Sequence, residues 1–320
     1  MSMMRDAHSI AGQAEEQGLD PVARPSAWRV WLKTSRPFTL TAAVSPVFVG
    51  TAVAGYQGTF HFWLFLVTFV SCLFLQIGTN YVNEYFDYRY GLDHAGSLGA
   101  STVIFRKEMT ARQVLLGGII CFVIAALLGI ILIFTVGPEI ILFGVGGILI
   151  AYFYSAKPFK FSSRGLGDVM VFLAMGLVMT WGSYYVQIHQ WSWVALVAAI
   201  PVGFTEVAIL NMNNTRDYQD DIAVNKRTLP VRFGVRFGQL FHTTLLLGTY
   251  VVVTLAVLLR ILPWPTLLVW LTFPLAFTNV RAVLQATERK AYMIGIKKTS
   301  LFHLVFGLAL SLGLLIAAFI

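Results

Sequence analysis

Six residues with oxygen-bearing side chains, Asn211, Asn213, Asn214, Asp217, Asp220 and Asp221, crowd together where a long apolar run gives way to LNMNNTRDYQDDIAVNKRTLPVRFG. If the helix continues through them, Asn213, Asp217 and Asp221 stand at i, i+4 and i+8 and form a ladder of oxygen ligands on one face. Oxygen-only ligands suit Mg²⁺, which dehydrates reluctantly and is usually held by one or two carboxylates plus substrate phosphates. Lys226, Arg227, Arg232 and Arg236 follow and are spaced to hold a phosphate-bearing substrate from the other side. The stretch NYVNEYFDYRYGLD repeats the arrangement, with Asn83 and Asp87 again four apart. Helix ends meeting water would explain one such ladder as well as chemistry does. Two ladders in one chain, each closing an apolar helix, favour a metal-assisted anion site.

The elements that must position these ladders are membrane spans. The 320-residue chain is 57% hydrophobic and 12% charged, with a mean hydropathy of +0.73, which excludes an ordinary soluble enzyme. A span of ~30 Å of hydrocarbon needs roughly 20 apolar residues. Nine stretches qualify as candidates: 38–57, 60–83, 114–136, 139–156, 166–188, 191–213, 240–259, 263–284 and 301–320. On that count every Lys and Arg except Arg260 falls on one side, which predicts a cytoplasmic N-terminus and cytoplasmic even-numbered loops. The same placement accounts for the net charge of +8 without nucleic acid, since the basic residues form no continuous block. Cys72 and Cys121 lie in apolar runs and read as small hydrophobes. Residues 1–26 are polar, lack the apolar core of a cleavable signal, and are expected to form a disordered cytoplasmic arm before a membrane domain over 27–320. The ladders end spans two and six, four spans apart. The expected fold is therefore all-α and integral to the membrane, two four-helix repeats plus a ninth helix around a central cavity.

Three stretches, RPFTLTAAVSPVFVG (36–50), NYVNEYFDYRYGLD (80–93) and NNTRDYQDDIAVNKRTLPVRFG (213–234), together resemble the UbiA superfamily of intramembrane aromatic prenyltransferases. The branch most similar is the one that prenylates 1,4-dihydroxy-2-naphthoate. The resemblance implies nine helices around a cavity in which two Asp-rich loops hold a polyprenyl diphosphate through Mg²⁺. The family's first motif, NDxxD, falls on Asn83, Glu84 and Asp87, with Glu where the first Asp is usual, and Asp93 is the nearest substitute for a further Asp. The second falls on Asn213, Asn214, Arg216, Asp217 and Asp221. In the loop 99–109, Thr102 and Lys107 stand where the naphthoate branch usually has Arg and Gly.

The metal set implied is Asn83, Asp87, Asp93, Asn213, Asp217 and Asp221, with Asp87, Asp217, Asp221, Lys160 and Arg227 carrying the chemistry. Tyr154, Lys157, Lys160 and Arg164 correspond to a family loop with a Tyr and a Lys near the diphosphate; positive-inside anchoring is the plain alternative for these cations. Arg106, Arg216, Lys226 and Arg227 are expected as further substrate contacts. Gln76, Asn80 and Glu206 lie deeper on the ladder helices and are expected to meet the polar groups of an aromatic acceptor, between walls of Phe and Met. Glu206 is either a base on a phenol or a hydrogen-bonded structural residue. Tyr81, Tyr85, Tyr88, Tyr152 and Tyr154 could stabilise an allylic cation by cation–π contact and His94 could meet the substrate, but singly they read more simply as interfacial anchors and a solvated loop group. Asp168 could cap the fifth span's helix as easily as take part in chemistry. The functional expectation is prenyl transfer in a bacterial cell membrane from a polyprenyl diphosphate to dihydroxynaphthoate with loss of CO₂, or to 4-hydroxybenzoate, homogentisate or another ring. A cation-coupled transporter also carries intramembrane acids, but its sites sit near the midplane on broken helices.

Overall fold

The computed structural model describes residues 26–92 and 102–320, and among these the regular structure is entirely helical. The expectations for residues 1–25, Asp93 and His94 lie outside the described residues. The helices are α1 (Ala27–Thr34), α2 (Thr41–Tyr56), α3 (Phe62–Arg89), α4 (Ala111–Thr135), α5 (Ile140–Phe153), α6 (Gly167–Ile188), α7 (Trp193–Arg216), α8 (Tyr218–Ala223), α9 (Leu229–Phe233), α10 (Val235–Leu258), α11 (Trp264–Leu284) and α12 (Arg289–Ala317).

Among the described residues, seven helices are long and apolar enough to cross a membrane, and the pair α1–α2, bent by 50°, makes an eighth span if counted as one. The fourth candidate contracts to α5, whose 14 residues reach only about 21 Å at 1.5 Å per residue. It carries Gly144, Gly146 and Gly147 and buries Ile140 alone, so neither propensity nor packing extends it. The last helix starts twelve residues before the predicted 301, at Arg289. Its first turns carry Lys290, Lys297 and Lys298, charges that end an apolar window but suit a helix emerging from lipid.

Outward faces are apolar; Leu142 and Leu271 are each 78% exposed. Exposed Trp63, Trp193 and Trp264 begin α3, α7 and α11, at the ends away from the acidic ladders, as expected of an interfacial aromatic belt. The chain is an integral membrane protein. The main core joins α2, α6, α7, α10, α11 and α12 through residues such as Val53, Tyr184, Leu246, Tyr250, Phe302 and Phe306.

Each ladder helix packs along the next membrane-length helix in the chain, α3 against α4 and α7 against α10. Local chemistry fixes where these begin. Thr110 and Gln113 form a reciprocal cap on α4, and the Ser192 hydroxyl accepts from Ala195 N–H at the start of α7. Midway along α6, residues Phe172–Val178 open into a π-helical turn, and Gly176 meets Gly203 of α7 backbone to backbone. A side chain on Gly176 would strike the Cα of Gly203, so this approach requires glycine. Such widened turns recur at functional sites, and this one faces the cavity described next.

Candidate active site

A cavity of about 250 Å³ opens between the α1–α2 bend, α3, α5, α6 and α7. From α3 it receives Gln76, Asn80, Asn83, Glu84 and Asp87; from α7 and the turn beyond it receives Glu206, Asn213, Asn214, Arg216, Asp217, Asp221 and Lys226. Tyr154 and Ser155 close one side, and Met170, Met175 and Met179 from around the widened turn of α6 form apolar wall with Leu75, Ile150 and Leu210. The two ladders predicted from spacing thus reach one space from two helices. The apolar wall has methionine as expected, but no phenylalanine among the described residues, because the rings pack in aromatic clusters such as Phe48 with Phe65 and Phe69.

The second ladder is bent. Helix α7 ends at Arg216, Asp217 takes φ −92° and ψ 10°, and Asp221 belongs to the short α8. Asp217 N–H still donates to Asn213 O at 3.0 Å and Asp221 N–H to Asp217 O at 2.8 Å, so the four-residue spacing survives the break.

The carboxylates differ in what already holds them. Asp87 makes no side-chain hydrogen bond or ion pair among the described residues, although it lines the cavity. Asp217 accepts from Arg216 Nε at 2.7 Å and also from its Nη2, with Arg289 Nη2 at 3.7 Å; Asp220 pairs with Arg289. Asp221 is 1% exposed and accepts from Lys226 Nζ at 3.1 Å and Thr228 Oγ1 at 3.3 Å. Burial works against the Lys226 ammonium, but Asp221, Asp87 and Asp217 outweigh it and hold its pKa above the ordinary lysine value. The Tyr154 phenol is pushed well up by burial and by the carboxylates of Asp168, Asp87 and Asp221, so it stays protonated as a donor.

Oxygen donors from Asn83, Asp87, Asn213, Asp217 and Asp221 around one cavity suit Mg²⁺ shared with a phosphate. Among the described residues no three His, Cys, Asp or Glu side chains gather into a ready-made cage.

A second basin of about 520 Å³ adjoins the first, and Leu92 and Lys226 line both. Lys160, Arg164, Arg227 and Arg232 line it as well. Lys160 sits over the Tyr90 ring at 3.3 Å, and its pKa is lowered by partial burial and by the neighbouring cations Lys157 and Arg164. Arg232 donates to the backbone carbonyls of Arg164 and Arg227, which ties the two basic loops together.

Three expectations change. Arg106 and Lys157 are exposed and line neither space, because their loops turn them to solvent. The Arg216 guanidinium is occupied by Asp217 and by Met293 Sδ at 2.9 Å, so it shapes the ladder instead of meeting a substrate freely. Asp168 makes no capping hydrogen bond and stands inside the first turn of α6. Residues missed by sequence reasoning are Arg36, Glu84 as an anchor, Arg289 and His303. Glu84 is 1% exposed, accepts from Val103 N–H at 2.8 Å and faces Arg36 Nη2 at 3.4 Å. Its extra methylene reaches the loop after α3. In that loop Lys107 takes φ 57°, the left-handed conformation that glycine occupies without steric cost.

Comparison with known proteins agrees with this fold. The model of the UbiA prenyltransferase family matches residues 43–296. The 1,4-dihydroxy-2-naphthoate octaprenyltransferase of Bacillus subtilis is 29% identical over 308 residues, 95% of this chain and 97% of that one. The enzyme of the same name from Mycobacterium leprae is 32% identical over 219 residues, 68% of this chain and 74% of that one. Among solved structures, a UbiA homologue from Archaeoglobus fulgidus bound to DMAPP and Mg²⁺ superposes with a TM-score of 0.60 at 15% identity, covering 88% of this chain and 98% of that chain.

Proposed function

The chain belongs to the UbiA prenyltransferase family, and from that premise we propose that it transfers a polyprenyl group from polyprenyl diphosphate to 1,4-dihydroxy-2-naphthoate, with loss of CO₂. The observation that carries the reading is the convergence of two Asp-bearing helix ends on one cavity, with Lys226 beside them and an apolar, methionine-rich wall beneath. The similarity to naphthoate prenyltransferases from several organisms supports the choice of acceptor.

Asn83, Asp87, Asn213, Asp217 and Asp221 would hold Mg²⁺, which when bound neutralises charge on the departing diphosphate as a Lewis acid. Lys226 stays charged beside the same oxygens, and Tyr154 offers a protonated hydroxyl to them. Lys160, Arg164 and Arg227 in the adjoining basin draw the diphosphate in from the cytoplasmic side and receive it after transfer. The allylic carbon becomes cationic as its C–O bond breaks, and the electron-rich ring attacks it. Met170, Met175 and Met179 keep water from that carbon, and the prenyl chain lies among apolar faces toward lipid. Gln76 makes no side-chain hydrogen bond among the described residues and is free to meet an acceptor oxygen; the Asn80 amide is already donating to Ser35 O at 2.8 Å and Thr39 Oγ1 at 3.0 Å.

The test is competition between dihydroxynaphthoate and 4-hydroxybenzoate at equal concentration, with kcat/KM read for each by mass spectrometry of the products. The proposal expects a decarboxylated prenyl-naphthalene product to dominate. Preference for the monocyclic acid, or a product that keeps its carboxylate, rejects the acceptor and leaves prenyl transfer intact.

A further inference from the structure

Beneath the ladders lies a buried acid–imidazole pair that diphosphate chemistry does not use. Glu206, 3% exposed, lines the cavity from α7, and His303 of α12, 1% exposed, brings Nε2 to 3.0 Å from its Oε1. The imidazole is held on every side. Its Nε2 lies 3.1 Å from Thr41 O, Nδ1 lies 2.6 Å from Thr205 Oγ1, and its backbone carbonyl accepts from Ser45 Oγ at 3.1 Å. A carbonyl oxygen only accepts, so Nε2 carries a hydrogen, and that hydrogen is aligned on Thr41. Glu206 Oε1 is left fully buried without an aligned hydrogen-bond donor. A buried carboxylate in that state has a standing demand for a donor, and the open side of Glu206 is the cavity.

Depth matches what an acceptor needs. Glu206 is seven residues below Asn213 on α7, about 10 Å along the helix axis, and Gln76 is the same distance below Asn83 on α3. Two polar side chains on the two ladder helices thus face one level beneath the metal ligands.

We propose that Glu206, positioned by His303, is the base that takes the proton from a ring hydroxyl of the acceptor. This rests on the prenyl-transfer reading above. As the hydroxyl proton moves to Glu206, the oxygen electron pair feeds the ring. The ring carbon that bears the carboxylate forms its bond to the prenyl carbon, and the C–O bond to diphosphate breaks, with its electron pair leaving on diphosphate. Loss of CO₂ returns an electron pair to the ring as an enolate, and Glu206 gives the proton back to its oxygen. Glu206 ends as it began, and no other reagent is consumed. His303 touches no reacting atom; its ring, with Nε2 3.0 Å from Oε1 and itself held by Thr41 and Thr205, packs against the carboxylate and limits its orientation.

The test measures wild type, Glu206→Gln and His303→Asn in detergent with one polyprenyl diphosphate and a series of dihydroxynaphthalene acceptors of increasing hydroxyl acidity. General-base removal costs about 10²–10⁴-fold. Glu206→Gln is expected to lose at least about 10²-fold in kcat with the least acidic acceptor, and progressively less as acidity rises, with KM for the diphosphate unchanged. His303→Asn follows the same trend with a smaller loss. Deficits equal across the series, or wild-type rates in Glu206→Gln, overturn the base assignment alone. A wild type that prenylates no ring acceptor overturns both this assignment and the reading beneath it. A Glu206→Gln protein that fails to fold moves the decision to His303→Asn, whose acidity dependence carries the same two outcomes.

Discussion

Replacing Lys226 by Gln separates catalysis from folding, because that lysine faces both problems at once. Its ammonium is 3.1 Å from Asp221, whose side chain is 1% exposed and otherwise has Thr228 Oγ1 at 3.3 Å. Removing one partner of a buried pair leaves an uncompensated charge, a loss of ~3–5 kcal/mol of stability. Removing one donor from a developing anion costs roughly 2.7–4 kcal/mol of transition-state stabilisation, about 10²–10³-fold in kcat. Lys226→Gln should therefore lower both the melting temperature in detergent and kcat. Adding Asp221→Asn removes the orphaned charge, so the double variant should regain most of the stability and none of the activity. Thermal unfolding and steady-state prenyl transfer on the same preparations give both readings. Wild-type kcat in Lys226→Gln, or recovery of activity in the double variant, would refute the role given to this lysine.

Two further outcomes follow from the basin and the helix ends. The Lys160 pKa lies below the ordinary lysine value of 10.5, so its ammonium is lost earlier as pH rises. Affinity for the diphosphate should weaken on the alkaline side below that value, and Lys160→Arg should move the weakening to higher pH; an unchanged alkaline limb contradicts this. If the short α5 also spans, making nine crossings, the basic bias predicts ladders on the cytoplasmic face and the C-terminus on the other. A reporter fused after Ile320 should then be active only on the non-cytoplasmic face; cytoplasmic activity there would overturn the nine-span count.

The Asn/Asp ladders were legible because Asn and Asp four apart inside an apolar run conflict with burial in lipid and so mark themselves. The same reasoning picked out Gln76 and Glu206, which line the cavity deeper on the same two helices. What it could not see is pairing across helices. Arg36 and Arg289 read as topology charges, yet one faces Glu84 and the other pairs with Asp220 beside Asp217. His303 is 98 residues from Thr205 and shows no local signal at all. Arg106 and Lys157 stand outside both cavities for the opposite reason: composition made them attractive, and loop geometry turns them to solvent. The glycines of α5 kept its span in the count at a length the helix does not reach.

Binding of a non-hydrolysable prenyl thiodiphosphate, followed by calorimetric titration in detergent, tests most directly whether the two helix ends form one site. Binding should require Mg²⁺ and vanish in EDTA, and Asp87→Asn on α3 and Asp217→Asn beyond α7 should each weaken it at least about tenfold, roughly 1.4 kcal/mol. Undiminished binding after verified metal removal, or a loss confined to the variant of one helix, would contradict the shared site.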